Sequence, residues 1–234
     1  MPASTPADPP SPEGSPVPAA VLFDMDGTLV DTEELWWHAA VECAAEVGLT
    51  LTEADLPEVL GQAVEHTAAH LHRTAPGRST EAELTARLDE AFASRVAAEV
   101  VPRPGALALL GRLRAAEVPM ALVSASPRRV IDLVLATLGT EWFRTVLAAE
   151  DTPRTKPAPD PYLAAAARLG LAPAACVAVE DTPTGVASAH AAGCAVLAVP
   201  SAVPIEARER VTVLDSLVHA DLPLLASLTA TGAR

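Results

Sequence analysis

The sequence predicts a doubly wound α/β fold, a parallel sheet with helices on both faces and an all-helical domain inserted after its first strand. Three observations carry this. Five short apolar runs recur along the chain, separated by stretches of helical period. The segment from about Asp31 to Val101 contains only helical patterns. The first apolar run stops abruptly at Asp24-Met25-Asp26-Gly27-Thr28, polar residues at a strand end.

Taken in order, residues 1–18 are Pro, Ser and Ala with almost no large apolar side chain, and read as a disordered leader. The run Ala19-Ala20-Val21-Leu22-Phe23 is hydrophobic on both faces, as a buried parallel strand must be. Helical patterns follow at about 33–47, 53–60, 62–72 and 80–98, broken by Gly48, Gly61 and Ala75-Pro76-Gly77. Pro102 and Pro104 mark the return to the sheet. Strands are then expected at Pro119–Val123, Thr145–Ala148, Cys176–Val179 and Ala195–Val199, with helices at about 105–116, 127–138, 160–169 and 184–192. The resulting division is a core of 19–31 and 102–226 around a helical insertion of 32–101, with the last ten residues frayed.

Composition narrows the function. Hydrophobic residues make up 50% of the chain, enough for a sizeable core, but aromatics only 3%, so Ala, Leu and Val must fill it. A formal charge of −14 and a pI near 4.7 count against nucleic acid and anionic membrane surfaces as partners. An anionic small molecule stays possible if a metal, a lysine or a helix N-terminus supplies local positive charge. Cys43, Cys176 and Cys194 are too few and too scattered for a disulfide framework or zinc site. With no secretory signal and no apolar run of the ~18 residues that a membrane helix requires, a cytoplasmic protein is expected, by default a monomer.

The chemistry gathers at strand ends. Asp24 and Asp26 stand at i and i+2, so both carboxylates point the same way from an extended segment. Two like charges held together need a cation or a proton between them; a divalent metal is the obvious solution, and hard carboxylate oxygens suit magnesium. Ser124-Ala125-Ser126 follows the second strand, Arg154-Thr155-Lys156-Pro157 the third, and Glu180-Asp181-Thr182-Pro183 the fourth. Lys156 is the single lysine in a chain whose other cationic side chains are all arginine. A compact ammonium can touch both a carboxylate and a phosphoryl oxygen.

Together these four segments resemble the motifs of the haloacid dehalogenase superfamily, and the chain is similar to its β-phosphoglucomutase and sugar-phosphatase branch over about residues 19–200. The resemblance implies a Rossmann-like core with a helical cap and a magnesium-dependent phosphatase acting on a small phosphorylated metabolite. By that resemblance Asp24 attacks phosphorus and becomes the aspartyl phosphate. Asp26 protonates the leaving oxygen and later acts as base toward water. Ser124 and the Ala125 backbone bind the phosphoryl group, and Lys156 neutralises it. Asp24, the Asp26 carbonyl, Asp181 and Glu180 hold Mg2+.

The resemblance also frames the alternatives. The positions at which β-phosphoglucomutases carry a hinge histidine and a cap arginine fall at Trp36 and near Val64, which counts against mutase chemistry. The cap contains no lysine, so the Schiff-base phosphonate hydrolases are a poor match. A phospho-acceptor signalling domain or a non-catalytic binding relative are readings of a different class, and the helical insertion weighs against the first. His66 and His70 have metal-pair spacing but lack a third ligand; Trp36 and Trp37 either face substrate or pack the cap; Arg128 and Arg129 read as a solvated pair; and Gly61-Gln62 offers a substrate loop.

Overall fold

A computed structural model describes residues 17–60, 62, 64–201 and 203–230. The expected leader therefore lies outside the described residues except for Val17 and Pro18, and Gly61 of the expected substrate loop lies outside them too. Six parallel strands form one sheet: β1 (Ala20–Phe23), β2 (Met120–Val123), β3 (Thr145–Leu147), β4 (Cys176–Glu180), β5 (Ala195–Ala198) and β6 (Val211–Val213). Their order is β3-β2-β1-β4-β5-β6, so the winding direction reverses between β1 and β4. Such a reversal opens a crevice at the carboxyl ends of the strands.

The central strands are apolar, but for Glu180 at the end of β4, because both faces are covered. Every residue of β1, β2, β4 and β5 is buried. The alternating faces feed two separate cores. Val21 and Phe23 face one layer with Leu109, Leu113 and Ile131, whereas Ala20 and Leu22 face another with Tyr162, Ala166 and Val186.

Nine helices are described: α1 (Glu33–Glu46), α2 (Leu56–Val59), α3 (Val64–Thr74), α4 (Glu81–Glu99), α5 (Ala106–Ala115), α6 (Arg128–Leu138), α7 (Asp160–Arg168), α8 (Pro183–Ala191) and α9 (Leu222–Ala230). The first four lie between β1 and β2. They close around Cys43, Val59, Leu71, Leu84 and Leu88, a third apolar cluster. The start of α4 is set by a capping box, in which Thr80 Oγ1 accepts from the Glu83 N–H and the Glu83 carboxylate accepts from the Thr80 N–H.

The helical insertion is anchored to the sheet layer as well as to itself. Leu35, Ala39, Phe92 and Val96 belong to the main core, and Trp36 packs against both clusters. Its two connections run side by side: Val30 bridges Pro102 antiparallel, and the Arg103 N–H donates to the Leu29 carbonyl at 2.8 Å.

Three expectations change. The pattern at 53–60 is a 3₁₀ turn, Glu53–Asp55, followed by the short α2. Strand β6 was not expected, and it adds an edge beyond β5. The final residues expected to fray include α9 through Ala230, with Leu225 fully buried and Ala226 7% exposed. Leucines at 222, 224, 225 and 228 pack that helix onto the main core. Leu225→Ala should therefore cost about 2–5 kcal/mol in urea unfolding, whereas a frayed tail would give no change.

Candidate active site

Asp24 is the first residue past β1, at the reversal point of the sheet, and its N–H donates to Val179 of the neighbouring β4. The residue is nearly buried, at 6% exposure. Oδ1 accepts from Lys156 Nζ at 2.6 Å, while Oδ2 is buried with no hydrogen-bond partner. The ammonium of Lys156 also lies 2.6 Å from Glu180 Oε1, so one cation bridges two carboxylates.

Glu180 is held from several sides. The Tyr162 hydroxyl donates to Oε1 at 2.5 Å, and the Asp181 N–H donates to Oε2 at 3.3 Å. The Tyr162 ring lies 5.3 Å from the lysine nitrogen, within cation–π reach. Glycine at 185 makes room for this carboxylate, since a Cβ there would stand 1.9 Å from Glu180 Oε2.

Asp181 accepts from Thr28 Oγ1 at 3.3 Å and from Ser201 Oγ at 2.5 Å. Gly27, with φ +82°, turns the chain beneath it, and a Cβ there would fall 1.9 Å from Asp181 Oδ2. A glycine is thus required both for the left-handed backbone and for the close approach.

Asp26 is held by two hydroxyls. Its two oxygens accept from Thr32 Oγ1 and from Ser126 Oγ, the latter at 2.6 Å. The Ser126 N–H in turn donates to Ser124 Oγ at 3.0 Å, which ties the loop after β2 to the acidic pair. Ala125 is exposed at the tip of that loop, and no protein acceptor takes its N–H among the described residues.

Burial raises the carboxyl pKa values here. Asp26 is pushed up to about 6 by burial, with the Ser126 and Thr32 hydroxyls opposing and the Asp24 charge adding to it. Asp181 also rises to about 6, through burial and then the Asp24 charge. Burial raises Glu180 as well, against the pull of Lys156. For Lys156, burial works against the charge, but Asp24 and Glu180 outweigh it and keep the ammonium protonated above its ordinary range.

The residues fit a divalent metal. Oxygens of Asp24, Glu180 and Asp181 lie within 4.8 Å of one another, and the partnerless Asp24 Oδ2 is the kind of buried anionic oxygen that a cation satisfies. Glu180 differs from Asp24 in that both its oxygens already accept hydrogen bonds, and from Asp181, whose oxygens accept only from the Thr28 and Ser201 hydroxyls, in that one of them is taken by the Lys156 ammonium. It is better placed to hold Lys156 than to ligate.

The structure thus brings Asp24, Lys156, Glu180 and Asp181 into one cluster, with Asp26 and Ser124 joined through Ser126. Sequence reasoning did not single out Ser126, Thr28, Thr32, Ser201 or Tyr162. Ser201 follows the end of β5, so the strand-end rule could have found it; Tyr162 is the chain's single tyrosine. The remaining candidates have other employment. His66 and His70 lie 2.9 and 3.0 Å from Glu58 and Asp55. Trp36 donates from its indole to Val59 at 2.8 Å and meets Phe92 edge-on, so it packs the insertion. Arg128 and Arg129 are ion-paired with Asp151 and Asp89 and are not a purely solvated pair.

A family model described as haloacid dehalogenase-like hydrolase matches residues 21–199. Hexitol phosphatase A of Escherichia coli is 36% identical over 200 residues, covering 85% of this chain and 89% of that protein. Protein CbbY of Rhodobacter capsulatus is 35% identical over 193 residues, covering 78% and 85%. The crystal structure of CbbY from Rhodobacter sphaeroides in complex with phosphate superposes with a TM-score of 0.73 at 26% identity, over 86% of this chain and 96% of that one.

The raised carboxyl values set a linkage. Asp26 and Asp181 titrate in the folded chain at about 6, above the ordinary unfolded value near 4. Their contribution to stability is fully present below about 4 and is lost as pH rises through about 6. Metal-free protein should therefore lose melting temperature between pH 5 and 8, and added Mg2+ should raise it more at pH 8, where the ligands are deprotonated. Differential scanning calorimetry in EDTA and in Mg2+ reads this directly; a Mg2+ effect independent of pH would count against the cluster as the ligand set.

Proposed function

The chain belongs to the haloacid dehalogenase-like hydrolase family, and from that footing we propose that it is a magnesium-dependent phosphatase of small sugar or sugar-alcohol phosphates, working through an aspartyl phosphate. The observation that carries the reading is Asp24: a buried carboxylate with Lys156 on one oxygen, no partner on the other, and a second aspartate two residues on.

In this reading an Asp24 oxygen attacks phosphorus and the bond to the leaving oxygen breaks. Asp26 donates its proton to that oxygen, and its raised pKa, about 6, supports an acid role close to neutral pH. Water then attacks the phosphoryl group, Asp26 takes the proton back, and Asp24 is released with inorganic phosphate. Splitting one hard displacement into two is the gain from a carboxylate nucleophile. Lys156, fixed by Glu180, neutralises charge on the phosphoryl oxygens, and Ser124 with the Ala125 N–H binds them. Asp24, Asp181 and the Asp26 carbonyl would hold Mg2+, with Glu180 behind them. When bound, the ion stabilises negative charge on the transferred group.

The helices of residues 32–101 act as a cap that admits substrate and excludes water. Mutase chemistry finds less support, since the Trp36 indole is committed to Val59.

The test is phosphate release from a panel of sugar, sugar-alcohol and carboxylated phosphate monoesters, with and without magnesium. Asp24→Asn should reduce release by at least about a thousandfold, as loss of a covalent nucleophile does. Asp26→Asn should slow release most for esters with poor leaving groups, read as the ratio of hexitol phosphate to p-nitrophenyl phosphate turnover. Wild-type release by Asp24→Asn would remove the nucleophile from this scheme.

A further inference from the structure

A cavity of about 510 Å³ opens between the start of α3 in the insertion and the start of α6 in the core. Its size is that of a small-ligand site. Pro127 on its wall directly follows Ser126, whose hydroxyl holds Asp26, so the cavity begins beside the proposed proton donor. In the phosphatase reading, the leaving group that Asp26 protonates as its bond to phosphorus breaks would extend toward this space.

The wall carries two arginines, yet neither is available to an anion. The Arg128 guanidinium is paired with Asp151 and donates to the Val146 carbonyl at 3.2 Å; that of Arg129 is paired with Asp89 on α4. The helix N-terminus, a ready anion site in general, is also taken. The Arg128 N–H donates to the Glu150 carboxylate, at 3.3 and 3.2 Å to its two oxygens. Glu65 and Asp132 remain on the wall, exposed and without an ion-pair partner among the described residues. The space is therefore net acidic, lined by groups that accept hydrogen bonds from hydroxyls and repel a second anion.

We infer that this cavity selects phosphate monoesters whose remaining part is an uncharged polyol, and turns away esters bearing a second phosphate or a carboxylate. The inference rests on the phosphatase reading for the orientation of the substrate, but its test does not need turnover. The Asp24→Asn chain, with Mg2+, is titrated calorimetrically with sorbitol phosphate and with xylulose bisphosphate.

The monophosphate should bind at least about tenfold more tightly, the scale on which like charges set specificity. Adding Glu65→Gln and Asp132→Asn should shrink that ratio by about threefold or more, and so should about 0.5 M NaCl, which screens exposed charge. Equal or tighter binding of the bisphosphate, a ratio that ignores both carboxylate removal and salt, or no binding of either ester would each overturn the inference. Phosphate release by the wild-type chain is measured separately and bears on the phosphatase reading alone.

Discussion

The ammonium of Lys156 lies between Asp24 and Glu180, 2.6 Å from each, and the rest of the site is arranged around that contact. Three carboxylates buried at one crevice repel each other, and burial alone would drive them toward protonation. A single cation with 6% side-chain exposure holds two of them in place. Its own position is secured by the loop after β3, the ring of Tyr162 and the carboxylate of Glu180. An ammonium suits this place because it is compact enough to touch both oxygens at once, where a planar guanidinium would demand a wider fork.

Buried ion pairs of this kind contribute little net stability, because the cost of desolvation offsets most of the attraction. Their value lies in orientation. With Oδ1 fixed by Lys156, the other Asp24 oxygen is left buried and without a partner, and Gly27 and Gly185 let the backbone crowd against Asp181 and Glu180 so closely that no side chain fits between. The sheet, the two glycine positions and the lysine converge on holding carboxylates rigidly before any ligand arrives, which is the general requirement for electrostatic catalysis.

Much of this was legible in the amino-acid order. Strands buried on both faces read as unbroken apolar runs, and their abrupt polar ends marked Asp24, Ser124, Lys156 and Glu180-Asp181. Strand β6 escaped because only Val211 of its three residues is buried and it pairs on one side alone. Helix α9 escaped although its start is an ordinary one, with Pro223 in the first turn and Asp221 accepting from the Leu224 N–H, because its mostly apolar run shows no clear helical period. In the site, the hydroxyls of Thr28, Thr32, Ser126 and Ser201 were hidden for a different reason. Serine and threonine occupy caps and turns everywhere, and only tertiary contact distinguishes the ones that meet a carboxylate. Tyr162 reaches Glu180 from the first turn of α7, a relation no local pattern contains.

The paired connections at Val30 and Pro102 carry a last implication. Because the seventy-residue insertion leaves and rejoins the sheet through adjacent backbone, its length can vary without altering the spacing of the strands that it interrupts, provided that the side chains it lends to the main core, Leu35, Ala39, Phe92 and Val96, are kept. On the function proposed above, reaction and recognition are therefore separable in inheritance. The strand ends can keep their chemistry unchanged while the helices above them drift, are exchanged, or are grafted from a relative.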